Sequence, residues 1–505
     1  MQRGRSILQA LGVSWLSLVA TVVVQLVQIP VALAHLTAEE FSLFAIYSQL
    51  LGYLFIVDFG ASSAFTRVVI DARNKDPESY DAVWSSGFVL LLGQALLMLA
   101  AVTAVTPLLP SLFHVPADLA PYGNRIFWCL GAVLALRQAT VIFALNMWAA
   151  QKLASANAIQ LVATLLQFGL FVATVGSLRL WAYVLAMLVG SLLPHLCYAV
   201  LVRREGLLPR FQWAKASRPV VARILSLGAD ALWITMFGII VNASFLVFAG
   251  MVLPLHQVAA LSVNLKPVQL FAEAVRRIAQ TCEPYFANLI SAGDLGRFRF
   301  GWVLSGKTML FTSLLGAAVY GVLAPWIIAA WTSPAFVMPA PVVLLLCVIP
   351  LRQVLHVQFV NPLFQFMALR KVRLVLLCEA AVYGVTAYGL GRHFGAVGLL
   401  AAYFISLPLG ALVPAARELA RHAGIGGRDF RNLFGGSMPI VAAPSVLVLV
   451  SLPLCHAWPF AWAAALAAGL AAGSLWLFMR TALSPDEKAY ALSLVRGRPA
   501  RPAGP

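Results

Sequence analysis

The stretch Leu136-Arg137-Gln138, followed by Asn146, lies in the middle of a long apolar segment. The same pattern returns as Leu351-Arg352-Gln353 with Asn361, 215 residues later and again inside a long apolar segment. This recurrence points to an internal duplication. The duplication places an arginine in the middle of a membrane span twice. Such an arginine is costly unless it faces water, a partner or a ligand.

A second pair of segments supports the duplication. Gly12, Val13 and Trp15 open the first apolar segment, and Ala229, Ala231 and Trp233 open a later one. The two tryptophans are 218 residues apart, within three residues of the first offset. We therefore predict two copies of one unit.

The composition restricts the class of protein. Of 505 residues, 61% are hydrophobic and only 10% are charged, which is typical of a polytopic membrane protein. Apolar runs of about 20 residues without alternation predict helices and exclude a β-barrel. The six cysteines have no paired spacing, so they predict neither disulfides nor a metal site. We predict about fourteen transmembrane helices, at 12–36, 41–66, 84–106, 122–148, 157–176, 180–202, 224–250, 257–285, 302–329, 338–366, 374–391, 396–416, 438–455 and 458–480.

The distribution of basic residues sets the predicted topology. With the N-terminus in the cytoplasm, the cytoplasmic segments hold 27 Lys and Arg residues and the outer segments hold three. This asymmetry follows the positive-inside rule and predicts that both termini are cytoplasmic. The net charge of +17 is therefore assigned to cytoplasmic loops and not to nucleic-acid binding. The run 12–36 is longer than the apolar core of a signal peptide, so we interpret it as an uncleaved first helix.

The helix count gives the predicted organisation. Six helices per copy is an even number, so both copies enter the membrane in the same orientation. The expected fold is all-α, with two parallel six-helix lobes around a central cleft and two extra C-terminal helices. The predicted segments are a lobe at 1–202, a basic linker at 203–223, a lobe at 224–416, the extra helices within 417–480, and a disordered basic tail at 481–505.

Charged residues inside the spans are the candidate binding groups. Arg137 and Arg352 fall near mid-membrane and Lys266 somewhat nearer the outside, whereas Glu273 is the only acidic residue predicted to lie deep. A cleft with this excess of cations favours an anionic ligand. The alternative is that Arg137 and Arg352 form internal ion pairs or carbonyl contacts that hold helices together.

Helix eight carries a polar stripe at helical spacing. Such a stripe on an apolar span is expected to face a water-filled cavity. The alternative is that Arg276 and Arg277 extend to lipid headgroups and that Glu273 pairs with Arg277 one turn away. The stripe consists of Lys266, Gln269, Glu273, Arg276, Arg277, Gln280 and Glu283.

Other polar residues have open roles. Gln138, Gln353, Asn146 and Asn361, which belong to the repeated motif, are assigned coupling or structural roles. His356 lies one turn after Arg352 and is interpreted as a core residue, with a pH-sensitive role as the alternative. The sequence has no phosphate loop, no HExxH motif and no large polar loop for an active site, so we expect neither an enzyme nor a cofactor.

The end of helix two carries a family resemblance. The stretch Val57-Asp58-Phe59-Gly60-Ala61-Ser62-Ser63-Ala64-Phe65-Thr66-Arg67 resembles the Asp-x-Gly…Ala-x-x-Arg signature of bacterial polysaccharide, or lipid-linked oligosaccharide, flippases. These belong to the multidrug/oligosaccharidyl-lipid/polysaccharide exporter superfamily. Val258-Ala259-Ala260-Leu261-Ser262 is similar to the stretch that opens helix eight in the family. The resemblance adds Arg67 to the substrate-binding candidates, and Asp58 as a coupling residue or as one that caps backbone near Gly60 or pairs with Arg67.

The resemblance implies a function. It implies alternating access that moves an undecaprenyl-pyrophosphate-linked oligosaccharide, an O-antigen, capsule or exopolysaccharide unit, across the bacterial inner membrane. The extra helices thirteen and fourteen would border a groove for the lipid tail. The implied partners are the lipid-linked anionic glycan, membrane lipids, and a polymerase and other assembly proteins. The chain departs from the family at Val241-Asn242-Ala243, where an acidic residue is common, which leaves ion coupling there open.

Two rival functions remain. A multidrug extruder of the same superfamily usually has twelve helices and an acidic cleft, which this sequence does not predict. A non-transporting scaffold of a polysaccharide assembly complex would not require charged residues in its spans. Mutational silence of those charges would favour the scaffold.

Overall fold

The computed structural model describes residues 2–75, 79–150, 152–206, 209, 211–435, 438–485 and 487–488. Within these ranges the chain is almost entirely helical and contains no strand, which confirms the predicted all-α class. The chain divides into two compact units, Met1–Ala259 and Ala260–Pro505. The predicted linker at 203–223 lies inside the first unit, because the helix that follows it packs against helices that precede it.

Among the described residues of the first unit, ten α-helices precede α11 (Leu255–Ser291). The core of this unit includes Phe65, Leu91, Ile142 and Ile224, contributed by four different helices. Because each of these side chains is almost fully buried, the helix that follows the linker and carries Ile224 belongs to this core. The helices are α1 (Gln2–Leu33), α2 (Ala38–Gly52), α3 (Ala61–Lys75), α4 (Tyr80–Val105), α5 (Leu109–Leu112), α6 (Ala120–Ala149), α7 (Leu153–Leu178), α8 (Trp181–Arg204), α9 (Arg218–Ala243) and α10 (Phe245–Val252).

The second unit is built from the helices that follow. Ala318, Cys347, Leu452 and Ala463 form part of its core and join α12 and α13 to the last helices. A π-helical turn, Leu407–Leu412, connects α14 to α15. The helices are α11 (Leu255–Ser291), α12 (Leu295–Trp331), α13 (Ala340–Gln365), α14 (Leu369–Ser406), α15 (Val413–Ala423), α16 (Gly427–Phe434), α17 (Met438–Val450), α18 (Leu452–Cys455) and α19 (Phe460–Leu477).

The number of spans is bounded by the length and hydropathy of the helices. Among the described residues, nine helices are long and apolar enough to cross a membrane, or eleven if each bent pair is one span. The longest, Leu369–Ala423, covers the predicted helices 374–391 and 396–416, and its backbone breaks at Gly395, with φ 59° and ψ −137°. The helix with the charged stripe, α11, is not among the nine. Fourteen spans therefore stays a prediction.

Predicted helix two, 41–66, is not continuous. After α2 the chain forms a 3-10 turn, Tyr53–Asp58, and then Phe59 and Gly60 adopt left-handed conformations with φ 51° and 68°. A continuous helix was wrong here because two successive residues with positive φ end the helical hydrogen-bond pattern. The backbone of Gly228 packs on this break, where a Cβ atom would lie 2.6 Å from the carbonyl oxygen of Phe59. Only glycine fits that contact without displacement.

The first part of the predicted disordered tail is ordered. Glu487 is 4% exposed and pairs with Lys307 of α12, with Oε1 3.0 Å from Nζ. Lys307 also donates to the carbonyl oxygen of Ala482, at 3.2 Å. The prediction of disorder was wrong for this first part, because a buried lysine requires a carboxylate that the tail supplies. Residues 489–505 lie outside the described residues.

Candidate functional site

Arg137 is the first candidate and lies in the middle of α6. It is 17 residues from the start of this helix and 12 from its end, so about 26 Å and 18 Å along the axis. Its side chain is half-buried, and the guanidinium carbon lies 5.7 Å from the centre of the Phe55 ring. Within the described part of the chain, no carboxylate pairs with Arg137. The guanidinium therefore keeps its hydrogen-bond donors for another partner.

A polar network holds the turn next to Arg137. The neighbouring residue Gln138 donates from Nε2 to Asp58 Oδ1, at 3.0 Å, and to Gln94 Oε1, at 2.9 Å. Gln94 in turn donates to the carbonyl oxygen of Asp58, at 2.8 Å. Gln138 and Gln94 are 6% and 3% exposed, so this network fixes α6 against the break in helix two.

Asp58 has the role of a helix cap. Its carboxylate accepts from the Ser62 backbone N–H, at 3.2 Å, and from the Ser62 hydroxyl, at 2.6 Å, at the start of α3. The predicted capping of backbone near Gly60 is confirmed. The alternative pairing of Asp58 with Arg67 was wrong, because Arg67 points outward and is exposed.

His195 was missed by the sequence analysis. It lies on α8, is 6% exposed, and its Nδ1 is 2.9 Å from the hydroxyl of Thr140 on α6. Thr140 also donates to the carbonyl oxygen of Arg137, at 3.0 Å. No spacing in the sequence indicated this group, because its members come from different helices. Further along α6, the buried Asn146 accepts from the Tyr80 hydroxyl, at 3.3 Å.

Arg352 occupies the repeated position in the second unit but has a different environment. It is 2% exposed, and its guanidinium lies 3.8 Å from the centre of the Tyr403 ring. Nη2 pairs with Glu379 Oε1, and Nε donates to the carbonyl oxygen of Tyr403, at 2.9 Å. Arg352 thus adopts the internal ion pair that the sequence analysis left as the alternative. We correct its assignment as a ligand-facing residue.

Glu379, the ion-pair partner of Arg352, lies deeper than predicted, because the sequence analysis placed only Glu273 deep among the acidic residues. Glu379 is 0% exposed, and its second oxygen lies 3.2 Å from His356 Nδ1. Helix α14 begins at Leu369, earlier than the predicted 374, so Glu379 is about 15 Å into the helix. Arg352 is about 20 Å from the end of the preceding helix, so the two residues lie at similar heights. Glu379 therefore neutralises a charge that we had counted as free.

The charged stripe on α11 lies on its less buried side. The opposite side carries the buried residues Val268, Ala272, Val275 and Ala279, so the helix is amphipathic as predicted. The two arginines of the stripe are not isolated charges. Instead, Glu273 pairs with both of them, with 2.6 Å between its Oε2 and Nη2 of Arg276 and 3.3 Å between its Oε1 and Nε of Arg277.

Lys266 is the remaining cation of the stripe. It is half-buried, and within the part of the chain that the structure describes it forms neither an ion pair nor a hydrogen bond. Glu283, at the other end of the stripe, accepts from the Asn361 amide at 2.9 Å. Gln353, which follows Arg352, is half-buried without a hydrogen bond to a described residue. Of the two mid-span candidates in the second unit, Lys266 and not Arg352 is thus the one without an ion pair among the described residues.

Comparison with known families places the chain. Its sequence matches the family described as "Polysaccharide biosynthesis protein" over residues 9–290, more than half of the chain. The chain belongs to this family. The match includes Asp58, Arg137 and Lys266, so the free cations lie within the family's own segment. A comparison with curated proteins finds no match.

Solved structures agree on the fold of this family member. The chain is similar to the lipid II flippase MurJ in an inward closed conformation, with 14% identity, TM-score 0.67, and 94% of this chain and 99% of that chain covered. It is also similar to an inward-facing multidrug resistance MATE family transporter of the MOP superfamily, with 13% identity, TM-score 0.63, and 81% and 96% covered. A mutant of the Vibrio cholerae MATE transporter VcmN has 13% identity and TM-score 0.57, with 84% and 98% covered.

These findings confirm the resemblance at the level of the family, and the solved structures agree in fold. The two-lobe fold is confirmed, and the chain is a multi-pass membrane protein of a polysaccharide biosynthesis family. Identities of 13–14% show the fold alone, so the substrate must be argued from this chain's own residues.

Proposed function

We propose that this protein translocates an undecaprenyl-pyrophosphate-linked oligosaccharide across the bacterial inner membrane by alternating access. The observation that carries the proposal is the half-buried guanidinium of Arg137 at mid-span, which no described carboxylate neutralises. An unpaired cation at that depth is costly, so its retention favours a role in binding. In a protein of polysaccharide biosynthesis, the anionic group to be bound is a diphosphate or an acidic sugar.

The chemistry of the two free cations suits such a group. The guanidinium of Arg137 is planar and can bind two phosphate oxygens at once. Lys266 adds a compact positive charge on the half-buried side of α11. Organic cations, the usual cargo of multidrug extruders, would be repelled by both groups. The cations therefore favour an anionic substrate over that rival.

The second unit supplies an apolar groove for a lipid tail. The groove has a volume of about 220 Å³ and lies between α12, α13, α16 and α17. Helix α17 is the predicted helix thirteen, which we expected to border such a groove. We assign the groove to part of the polyprenyl chain of the substrate, because its apolar lining can replace the van der Waals contacts that the chain makes with lipid tails. Its lining residues are Leu310, Phe311, Leu314, Leu351, Leu355, Leu433, Phe434, Met438, Pro439, Val441, Ala442 and Ser445.

The test is glycan export in Arg137→Ala, normalised to the amount of protein in the membrane. Losing one charge-assisted interaction of roughly 1.5–3 kcal/mol should lower export by about one to two decades. The protein level should stay normal, because no described carboxylate is left unpaired. Arg137→Lys should keep part of the activity, since the charge remains but the bidentate geometry does not.

The matched control is Arg125→Ala. Arg125 is an exposed arginine on the same helix, and its loss should leave export unchanged. Wild-type export from well-expressed Arg137→Ala would refute the anion site and favour a scaffold. A loss of export that only follows a loss of protein would make Arg137 a packing residue.

The proposed topology is tested independently. We propose that both termini are cytoplasmic. Reporter fusions at Ser333, between α12 and α13, and at Gly426, before α16, should then report the periplasm and the cytoplasm respectively. Two reports from the same side would contradict the arrangement of the helices between them.

A further inference from the structure

The short helix α16 has two different faces. On one face Leu433 is fully buried and the Phe430 ring stacks on that of Phe359, with 5.9 Å between their centres. On the other face Arg428 and Arg431 are exposed, three residues apart and therefore adjacent on the helix surface. An amphipathic helix between two apolar segments is expected to lie in the plane of the membrane interface.

The arginines of α16 are not neutralised by their neighbours. The acidic residue of the preceding helix, Glu418, is already occupied by Arg421, at 2.8 Å, and by Lys371, at 3.5 Å. Over the described residues, Arg428 and Arg431 form no ion pair. Asp429, which lies between them in sequence, is engaged in accepting from the backbone N–H of Gly426, at 3.0 Å. Two guanidinium groups thus remain for an external anion.

The same helix borders the apolar groove described above. Leu433 and Phe434 line that groove together with the first turns of α17. Arg431 and the groove-lining Phe434 are three residues apart on α16, so the cationic surface of this helix adjoins the apolar groove. A ligand that satisfies both surfaces carries a phosphate group on a long apolar chain.

We propose that α16 is a headgroup site where Arg428 and Arg431 bind the phosphate of a polyprenyl phosphate or diphosphate lipid whose chain enters the groove. This proposal rests on the proposed function, since it identifies the groove's occupant as the carrier lipid of the substrate. It adds a binding step in which the headgroup is held at the membrane surface, apart from the mid-span Arg137. Arginine suits this role because its planar fork binds phosphate oxygens bidentately.

The test is equilibrium binding of labelled undecaprenyl phosphate to the purified full-length protein in phosphatidylcholine nanodiscs. Arg428→Gln with Arg431→Gln should weaken binding about thirtyfold, the effect expected from two basic residues at a membrane surface. The matched control is Arg203→Gln with Arg204→Gln, two exposed arginines at the end of α8, which should bind as the wild type does. Ala442→Trp, which fills the groove and leaves the arginines in place, should also weaken binding.

Each outcome is decisive. Equal losses in the two double variants would overturn the site, because general electrostatic attraction would then explain binding. If phosphatidylglycerol displaced the labelled lipid as well as unlabelled undecaprenyl phosphate does, the assignment to a polyprenyl lipid would be overturned. Wild-type binding by the Arg428/Arg431 double variant would exclude the headgroup site and leave the export test of Arg137 untouched. Conversely, weakened binding in that variant together with normal export from Arg137→Ala would support the headgroup site while refuting the mid-span anion site.

Discussion

Breaking the buried pair between Arg352 and Glu379 should destabilise the protein strongly. Glu379 is 0% exposed, so Arg352→Met leaves a carboxylate in the interior without its guanidinium. Removing one partner of a buried ion pair costs about 3–5 kcal/mol. The double variant Arg352→Met with Glu379→Leu removes both charges and should recover most of that loss, to within about 1–2 kcal/mol of the wild type.

The measurement is a double-mutant cycle on unfolding in mixed micelles of a mild and a denaturing detergent, together with membrane protein levels. Arg276→Met is the matched control, because it breaks the pair with Glu273 whose side chains are 44% and 33% exposed. A surface pair of this kind contributes at most about 1 kcal/mol. If Arg352→Met were as stable as Arg276→Met but failed to export glycan, Arg352 would be a ligand-binding residue and our structural assignment would be refuted.

Two further variants test contacts that order each unit. Gly228→Ala should lower the free energy of unfolding by about 1–3 kcal/mol, because the added Cβ atom would lie 2.6 Å from the carbonyl oxygen of Phe59. The control is Gly238→Ala on the same helix, where a Cβ atom meets open space. This variant should be neutral or stabilising in the same unfolding measurement. Lys307→Met should release the C-terminal segment that contains Glu487. Trypsin should then cleave within that segment faster than it does in the wild type. Unchanged cleavage would show that this ion pair does not hold the segment.

The sequence predicted the fold class because the membrane imposes it. Apolar runs of about 20 residues can satisfy their backbone hydrogen bonds in lipid only as helices, and every predicted segment contains helix in the described residues. The break after Asp58 escaped prediction because no proline marks it and apolar residues resume beyond it, at Ala64 and Phe65. Two residues with positive φ, Phe59 and Gly60, cause the break, and a hydropathy pattern carries no information about φ.

The candidate site was predicted in part. The depth of Arg137 and Lys266 follows from counting residues along a helix, and the structure leaves both without an ion pair among the described residues. The partners of the other charges come from neighbouring helices, so spacing within one segment could not reveal them. The early start of α14 moved Glu379 to the depth of Arg352, and the tail supplied Glu487 to Lys307. Errors of a few residues in a helix start thus changed the predicted charge balance of the interior.

The predicted duplication allows the neighbours of the two arginines to be compared position by position. The offset of 215 residues that relates Arg352 to Arg137 relates Glu379 to Thr164 and His356 to Val141. The second unit therefore has a carboxylate where the first unit has a hydroxyl, and that hydroxyl is occupied by the carbonyl oxygen of Gln160, at 2.8 Å.

A guanidinium needs a counter-charge when it is buried at mid-span, and only the second copy of the motif supplies one within the described chain. In the second unit the arginine consequently joins three helical segments as an internal contact, through Glu379, Tyr403 and Ser406. In the first unit the corresponding residue is Arg137. The hydrogen bond between its neighbour Gln138 and Asp58 fixes its depth in the span, but no described carboxylate compensates its charge. We therefore expect the copy that keeps its charge, Arg137, to be the one that binds an anion. This is why export should depend on Arg137 and folding on Arg352.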